Sequence, residues 1–551
     1  MDSKKLTIFV LISVVLMFGW ETLMDRFYPE RKAQRVVASA PVAASVPVAA
    51  PAGTAATPLD TGRLLRGQRI AVKTDMFVAE IDSTGADLRK VELVKHGEAG
   101  NPKKPFVLLM DSPERTFVAQ TGLLGEGLPT HKSEFKAAQT AYQLADGQNE
   151  LAVRLEAAGP EGVKVAKTYV FKRGSYVVDV KYEINNGSAK PLTASAYYRF
   201  LRDGHKEESQ GMGTSTFTGP AVYTDEGKFQ KVEFDQLAEN KGKYVEKAKD
   251  GWVAMLQHYF ATAWIVSPTG SEGICGAQVC RYDLKKQPDG LFSAGVIADL
   301  PQIAAGSKLE TGVPLFLGPE DTRVLKPIAP GLDLVKDYGW VTIIATPLFW
   351  LLEKLHAIVG NWGWAIILLT VLIKAAFFPL SAASYRSMAK MRVLAPRMEA
   401  LKKRYGDDKM KMQQAMMAMY KEEKVNPLGG CLPMLIQIPV FIALYWTLLA
   451  SVEIRQAPWL GWIVDLSSKD PYYILPVLMT ISMYVQSLLS PPPPDPMQAK
   501  IMKIMPLAFS VMFFMFPAGL VLYWVVNNTL SILQQWIITR QIESGEKAAK
   551  A

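Results

Sequence analysis

Polar side chains set inside long apolar runs are the residues of this chain most able to do work. Lys374 stands about a dozen residues into the run 362–380, and Thr370 lies one turn earlier on the same helical face. An ammonium at mid-bilayer costs about 2.5–3.5 kcal/mol on insertion scales, so it either serves a task or reaches out to the headgroups. Both readings are open, because only about 9 Å of helix separates Lys374 from Leu380. The last apolar run carries Tyr523, Asn527, Ser531 and Gln534 at spacings of four, four and three, which makes one polar stripe with Trp524 beside it. Gln437 and Gln486 lie in two other runs, where each either bonds a neighbouring helix or joins the same wet cavity. The chemistry such a set supports is non-covalent: a buried cation, amides and hydroxyls that together line a wet cavity within the apolar layer.

Catalytic chemistry finds no comparable support. His96, His131, His205 and His258 do not fall at metal-ligand spacings, and no P-loop occurs, so no catalytic residue, metal or cofactor is expected. Cys275 and Cys280 flank a short Gly-containing stretch; they pair if their Cα atoms come within bonding range, or stand as two free thiols. Cys431 reads as a small packing residue in an apolar run.

The elements that must hold these groups fall into two regimes, because the 49% hydrophobic content is unevenly distributed. Residues 1–25 open with Lys4 and Lys5 before an apolar run and read as an uncleaved N-terminal anchor, followed at 26–60 by a flexible Ala/Pro-rich tether. Residues 61–330 alternate apolar and polar: Val163, Val165, Tyr169 and Phe171 share one face, as do Val178, Val180, Tyr182 and Ile184 after a turn at 172–175. A β-sandwich of many strands is expected there, as a binding or docking module. Residues 331–360 carry Asp333, Lys336, Asp337, Glu353 and Lys354 among apolar positions and read as an interfacial amphipathic helix.

A second span is expected at 361–380 and spans three to six at 429–540, the last two forming a hairpin about Pro517, Ala518 and Gly519. With the anchor that makes six crossings. Much of the net charge of +9 concentrates at 381–428, which the positive-inside rule makes cytoplasmic; this excludes the need for a DNA partner. Both termini, including the tail at 541–551, are then cytoplasmic, and the β-domain is periplasmic. The basic segment reads as two antiparallel helices. Met391, Met398 and Met416 form stripes that pack on each other or offer an adaptable surface to clients, while Arg392 and Arg397 on the outer face attract ribosomal RNA or anionic lipid.

Several strings are familiar as a set. NPLGGCLPMLIQIPVFIALY at 426–445 is preceded by SMAKMR and followed by DPYYILP, DPMQAKIMKIMP and FPAGLVLYWVVNN, while GWVAMLQHYFATAW stands at 251–264. Together they resemble the YidC/Oxa family of membrane-protein insertases, in its Gram-negative form with a large periplasmic domain. The resemblance implies insertion and folding of nascent membrane-protein clients in the inner membrane, alone or beside the Sec translocon and its accessory membrane subunits. It implies no nucleotide cofactor, and contact with the translating ribosome through cytoplasmic loops. For the outer domain it implies a β-supersandwich like that of galactose mutarotases, without sugar chemistry. The family usually carries Arg where Lys374 stands; this chain keeps the charge but not the planar fork. An apolar segment of a client would leave along a lipid-facing surface formed by Leu432, Pro433, Ile438, Phe441, Met512 and Phe513. The rival class is a polytopic solute transporter or channel, against which stand the missing inverted repeat and the Met-rich basic hairpin.

Overall fold

A computed structural model of the chain describes residues 64–205, 217–271, 273–276, 278–406, 408–423, 432–489 and 496–550. The expected anchor at 1–25, the tether at 26–60 and Cys431 lie outside them, as do the side chains of Arg392, Leu432 and Pro433.

Alternation builds the first half. Strands Lys164–Lys172 and Val177–Asn185 run antiparallel and pair Phe171 with Val178, Tyr169 with Val180 and Val165 with Ile184. All six of these side chains are buried, each stabilising the fold by roughly 1.5–3 kcal/mol relative to exposure. Gly174, at φ +71°, supplies the left-handed step between the strands. Among the described residues two sheets of ten and nine strands form, and one large core takes side chains from both.

One inward position breaks the apolar rule. Lys167 lies opposite Tyr182 and is fully buried, its ammonium donating to the carbonyls of Gly85 (2.5 Å), Thr121 (3.2 Å) and Ala86 (3.3 Å). Buried Asp87 and Arg89 lie near it, and Gln120 donates to Asp87 at 2.8 Å. Burial lowers the Lys167 ammonium to about 8 and raises the Asp87 carboxyl to about 6, the latter opposed by the charges of Lys167 and Arg89.

The last strand, Lys308–Pro319, lies between Phe260–Ile265 and Val177–Asn185 in the nine-stranded sheet and hands the chain to the second half. The single amphipathic helix expected at 331–360 is divided. Leu332–Val335 is a 3-10 turn whose Leu332 and Val335 pack on the sheet beside Trp252 and Phe316, so the β-domain's packing extends past residue 330. A second 3-10 turn, Gly339–Val341, then leads into helix α1, Thr342–Val359.

Among the described residues eight α-helices follow: α2 (Trp362–Ala376), α3 (Phe378–Val393), α4 (Ala395–Arg404), α5 (Lys409–Glu422), α6 (Leu432–Ala450), α7 (Ile474–Leu489), α8 (Pro496–Phe513) and α9 (Ala518–Lys550). Asn361 starts α2 by accepting from the backbone N–H of Gly363 and Trp364, at 2.9 and 3.2 Å. The helix stops at Phe377, two residues before Pro379, which has no N–H to donate to the Ala375 carbonyl and whose ring crowds that carbonyl. Helix α3 departs at 67°, so the straight span expected over 361–380 is shorter and bent. By length and apolar composition, α1 alone among the described helices suffices to cross a membrane, with α2 and α3 together as a second, bent candidate. That measure does not return six crossings, and it selects the segment the sequence reads as interfacial. The break between α8 and α9 falls at 514–517, so of the three expected turn residues only Pro517 lies in it, and Ala518 and Gly519 open α9.

The two halves meet at the turn after α6. Val452 belongs to the β-domain core, and Gln456 donates to the carbonyls of Gly97 and Glu98, both at 3.1 Å. The Arg455 guanidinium lies 5.6 Å from the Phe106 ring centroid and 5.5 Å from that of Phe260. His258 donates through Nε2 to the carbonyl of Leu449 at 3.1 Å.

Candidate functional site

Four helices surround Lys374. Helix α9 packs on α2 and α3, and α6 packs on α3. Gly363 lets the turn after α6 close on α2: a Cβ there would meet Trp459 Cδ1 at 2.1 Å, and Asn361 adds bonds to the Pro458 and Trp459 carbonyls.

Lys374 is half-buried, and its ammonium donates to Ser531 Oγ at 2.7 Å. Ser531, itself buried, donates a hydrogen bond to the Asn527 carbonyl at 2.8 Å, so its oxygen accepts from the lysine. Buried Tyr385 of α3 is hydrogen-bonded to the same hydroxyl. Gln437 of α6 donates to the hydroxyl of buried Tyr523 on α9. A cavity between these groups is lined by Ile373, Lys374, Phe377, Leu380, Ser381, Gln437 and Val440. It measures about 20 Å³ for the centre of a water molecule. One water needs roughly 10–15 Å³ by that measure, so the site has room for a water.

An aromatic cluster adjoins it. Trp524 meets Phe441 edge-on at 4.2 Å between centroids and Phe513 at 5.4 Å, and Phe516 bridges Phe513 and Tyr445 at 5.6 Å each. These rings fill the space beside Gln437 and Tyr523 with apolar surface.

The expected groove set is therefore only partly brought together. Lys374, Ser531, Gln437 and Tyr523 converge, and Asn527 is buried beside them with its carbonyl engaged. Thr370 is buried but returns its hydroxyl to the Ile366 carbonyl at 2.7 Å, and neither it nor half-buried Gln486 lines the cavity. Gln534 donates to the Phe378 carbonyl at 3.4 Å. The apolar exit surface needs a correction at Phe513, which is 3% exposed and packed under Trp524, because the turn after α8 folds its end inward. Ile438 is exposed, while Met512 and Phe441 are half-buried.

Two groups of residues were not singled out by sequence reasoning. Ser381 and Tyr385 of α3 reach the site because of the bend at Phe377. Asn528 and Gln535, seven apart on α9, form a second polar seam: Asn528 donates to Ser482 of α7 at 3.3 Å and Gln535 to the Leu489 carbonyl at 3.0 Å. Their spacing was available in the sequence and marks a face adjacent to the first stripe.

Helices α4 and α5 pack together. Met398 and Met419 are buried, Tyr420 lies 3.1 Å from Met398 Sδ, and Arg397 pairs with Glu423 at 2.6 Å. Met391 and Met416 are half-buried, while Met410 and Met417 are exposed. In the β-domain Cys275 and Cys280 form a disulfide, with Cα atoms 5.4 Å apart.

Comparison with known proteins decides the lineage. The model of the YidC periplasmic domain matches residues 69–351, and that of the 60Kd inner membrane protein matches residues 354–546. The chain belongs to the YidC/Oxa family of membrane protein insertases. Among YidC relatives, the membrane protein insertase of Laribacter hongkongensis is 57% identical and that of Aromatoleum aromaticum 52%, each over 100% of both chains. That of Neisseria meningitidis serogroup C is 50% identical over 98% of both. A crystal structure described as active YidC insertase with its first transmembrane domain resolved covers 85% of this chain and 92% of its own, at 20% identity and a TM-score of 0.41. A galactose mutarotase related enzyme from Lactobacillus acidophilus covers 45% of this chain and 97% of its own, at 11% identity and a TM-score of 0.30. The YidC/Oxa assignment rests on the sequence matches, which span both the β-domain and the helical half.

Proposed function

We propose that this chain inserts and folds integral membrane proteins in the bacterial inner membrane, alone or beside the Sec translocon. In this reading the β-domain is periplasmic, both termini are cytoplasmic and six helices cross the bilayer. The charged bond between Lys374 and Ser531, beside a cavity with room for a water, is the observation that carries it. An ammonium held there by a hydroxyl keeps a positive charge within the apolar layer with a polar partner. Acidic or polar stretches of a client are drawn to that charge, which shortens the hydrocarbon barrier they must cross. The client's apolar segment then leaves between helices into lipid, driven by hydrophobic transfer. Helices α4 and α5, with basic side chains outside and exposed Met410 and Met417, suit early contact with the ribosome, anionic lipid and emerging clients.

Complementation of an insertase-depleted strain tests the reading. Lys374→Arg should support growth and client insertion, Lys374→Ala should reduce both, and Lys374→Glu should abolish them. Full client insertion by the Glu variant would end the proposal.

A further inference from the structure

Two segments 117 residues apart, together with the helix that follows the first, converge on one cation. Lys336 lies in the bend between the two 3-10 turns that follow the β-domain, and Glu453 lies in the 3-10 turn Val452–Ile454 after α6. The Lys336 ammonium donates to both Glu453 oxygens, at 2.8 and 2.9 Å, and the two side chains are 1% and 4% exposed. The same ammonium stands 3.7 Å from the ring centroid of Phe349, in the third turn of α1.

Withdrawing two charges this fully from water is unfavourable unless their geometry is close to ideal, and apolar side chains would fill such a site at lower cost. What the ions add is register. Neither α1 nor the end of α6 can slide against the other without uncovering a charge, because the bidentate contact and the ring face both depend on their relative position. Helix α1 packs on α2 and α6, which carry Lys374 and Gln437. Phe349 also lies parallel to Trp362 at the start of α2, and His356 stacks on that same indole at 4.0 Å between centroids.

We propose that Lys336 and Glu453 are a positioning pair for membrane-protein insertion: by locking α1 across the adjoining ends of α2 and α6, they set the spacing between Lys374 and Gln437. The inference rests on the groove reading of those two helices, and its test is separable from that reading. Full-length chain is reconstituted in lipid vesicles, and client insertion is measured together with amide hydrogen exchange across α1. Lys336→Ala and Glu453→Gln should each lower insertion about tenfold and accelerate exchange in α1, since each strands a buried charge or its partner. Lys336→Arg, which keeps both the charge and the ring contact, should restore most of both signals. Thermal melting of the β-domain should be the same in all three variants, which separates positioning from misfolding. Unchanged insertion in both Lys336→Ala and Glu453→Gln would overturn the inference, and so would lost insertion with unaltered α1 exchange. Should Lys374→Glu insert clients freely, the groove reading falls, while the exchange of α1 still reports on the lock.

Discussion

Lys374 shows how a charge is tolerated among apolar helices: its nitrogen has a hydroxyl at 2.7 Å, and that hydroxyl's own proton is committed elsewhere. The residue was legible in the sequence because an ammonium stands out in an apolar run, and Ser531 was legible because it fell on a polar stripe at helical spacing. Lys167 was not legible. In an alternating strand a lysine reads as an outward position, and only the carbonyls gathered from Gly85, Ala86 and Thr121 make an inward one affordable. The β-domain histidines carry a prediction at the same scale. Burial, aided by Arg455 near His96 and by Arg199 near His131, lowers both imidazoles to about 4. His258 is also lowered to about 4, by burial first, although its bond to the Leu449 carbonyl works against the shift. An unfolded imidazole protonates near 6.5, so in the window from about 6.5 down to 4 the unfolded chain binds more protons at these sites, and each draws stability away as pH falls. Asp87 acts in the opposite sense: its folded carboxyl holds a proton up to about 6, so its contribution is lost as pH rises from 3.8 through 6. Resonances of His96, His131 and His258 should therefore stay at their neutral positions between pH 7 and 5. Titration of any of the three near 6.5 would contradict the burial assigned to it.

At the scale of elements, breaker residues marked where α8 and α9 part, at Pro517. The bend at Phe377 was missed, because an apolar count runs straight through 377–380 while the backbone responds to Pro379. That bend brings Ser381 and Tyr385 to the site, so an apolar count conceals these two residues as well. The division of 331–360 was hidden for a related reason: Leu332 and Val335 fit the apolar pattern of a helix but are spent on the sheet. Contact between α2 and the turn after α6 depends on the absence of a side chain at Gly363, where Trp459 occupies the space a Cβ would fill, with Trp364 meeting it edge-on at 5.9 Å between centroids. Gly363→Val should displace that indole, seen as a red shift and faster quenching of tryptophan emission, with the start of α2 loosened. Emission identical to that of the unchanged chain would refute the packing argument.

For the molecule as a whole, the chain places a large β-domain and a helical bundle in direct contact, with the end of α6 built into both. The sequence separated the two halves but could not show this junction, since Val452 looks like an ordinary loop residue until it is seen in the β-domain core, and Gln456 until its partners more than 300 positions away are known. The junction matters for function because α6 carries Gln437 at one end and the β-domain contact at the other. The cavity beside Lys374 holds little more than a water, so the account requires helices to part around an arriving client. Photo-crosslinking to a stalled nascent chain with an acidic tail tests this most directly, with the reactive group placed at Val440 in the cavity wall or at exposed Ile481 on α7. The account predicts adducts between Val440 and the client's polar tail that are largely lost with Lys374→Glu. Adducts at Ile481 alone, or Val440 adducts undiminished by Lys374→Glu, would contradict it.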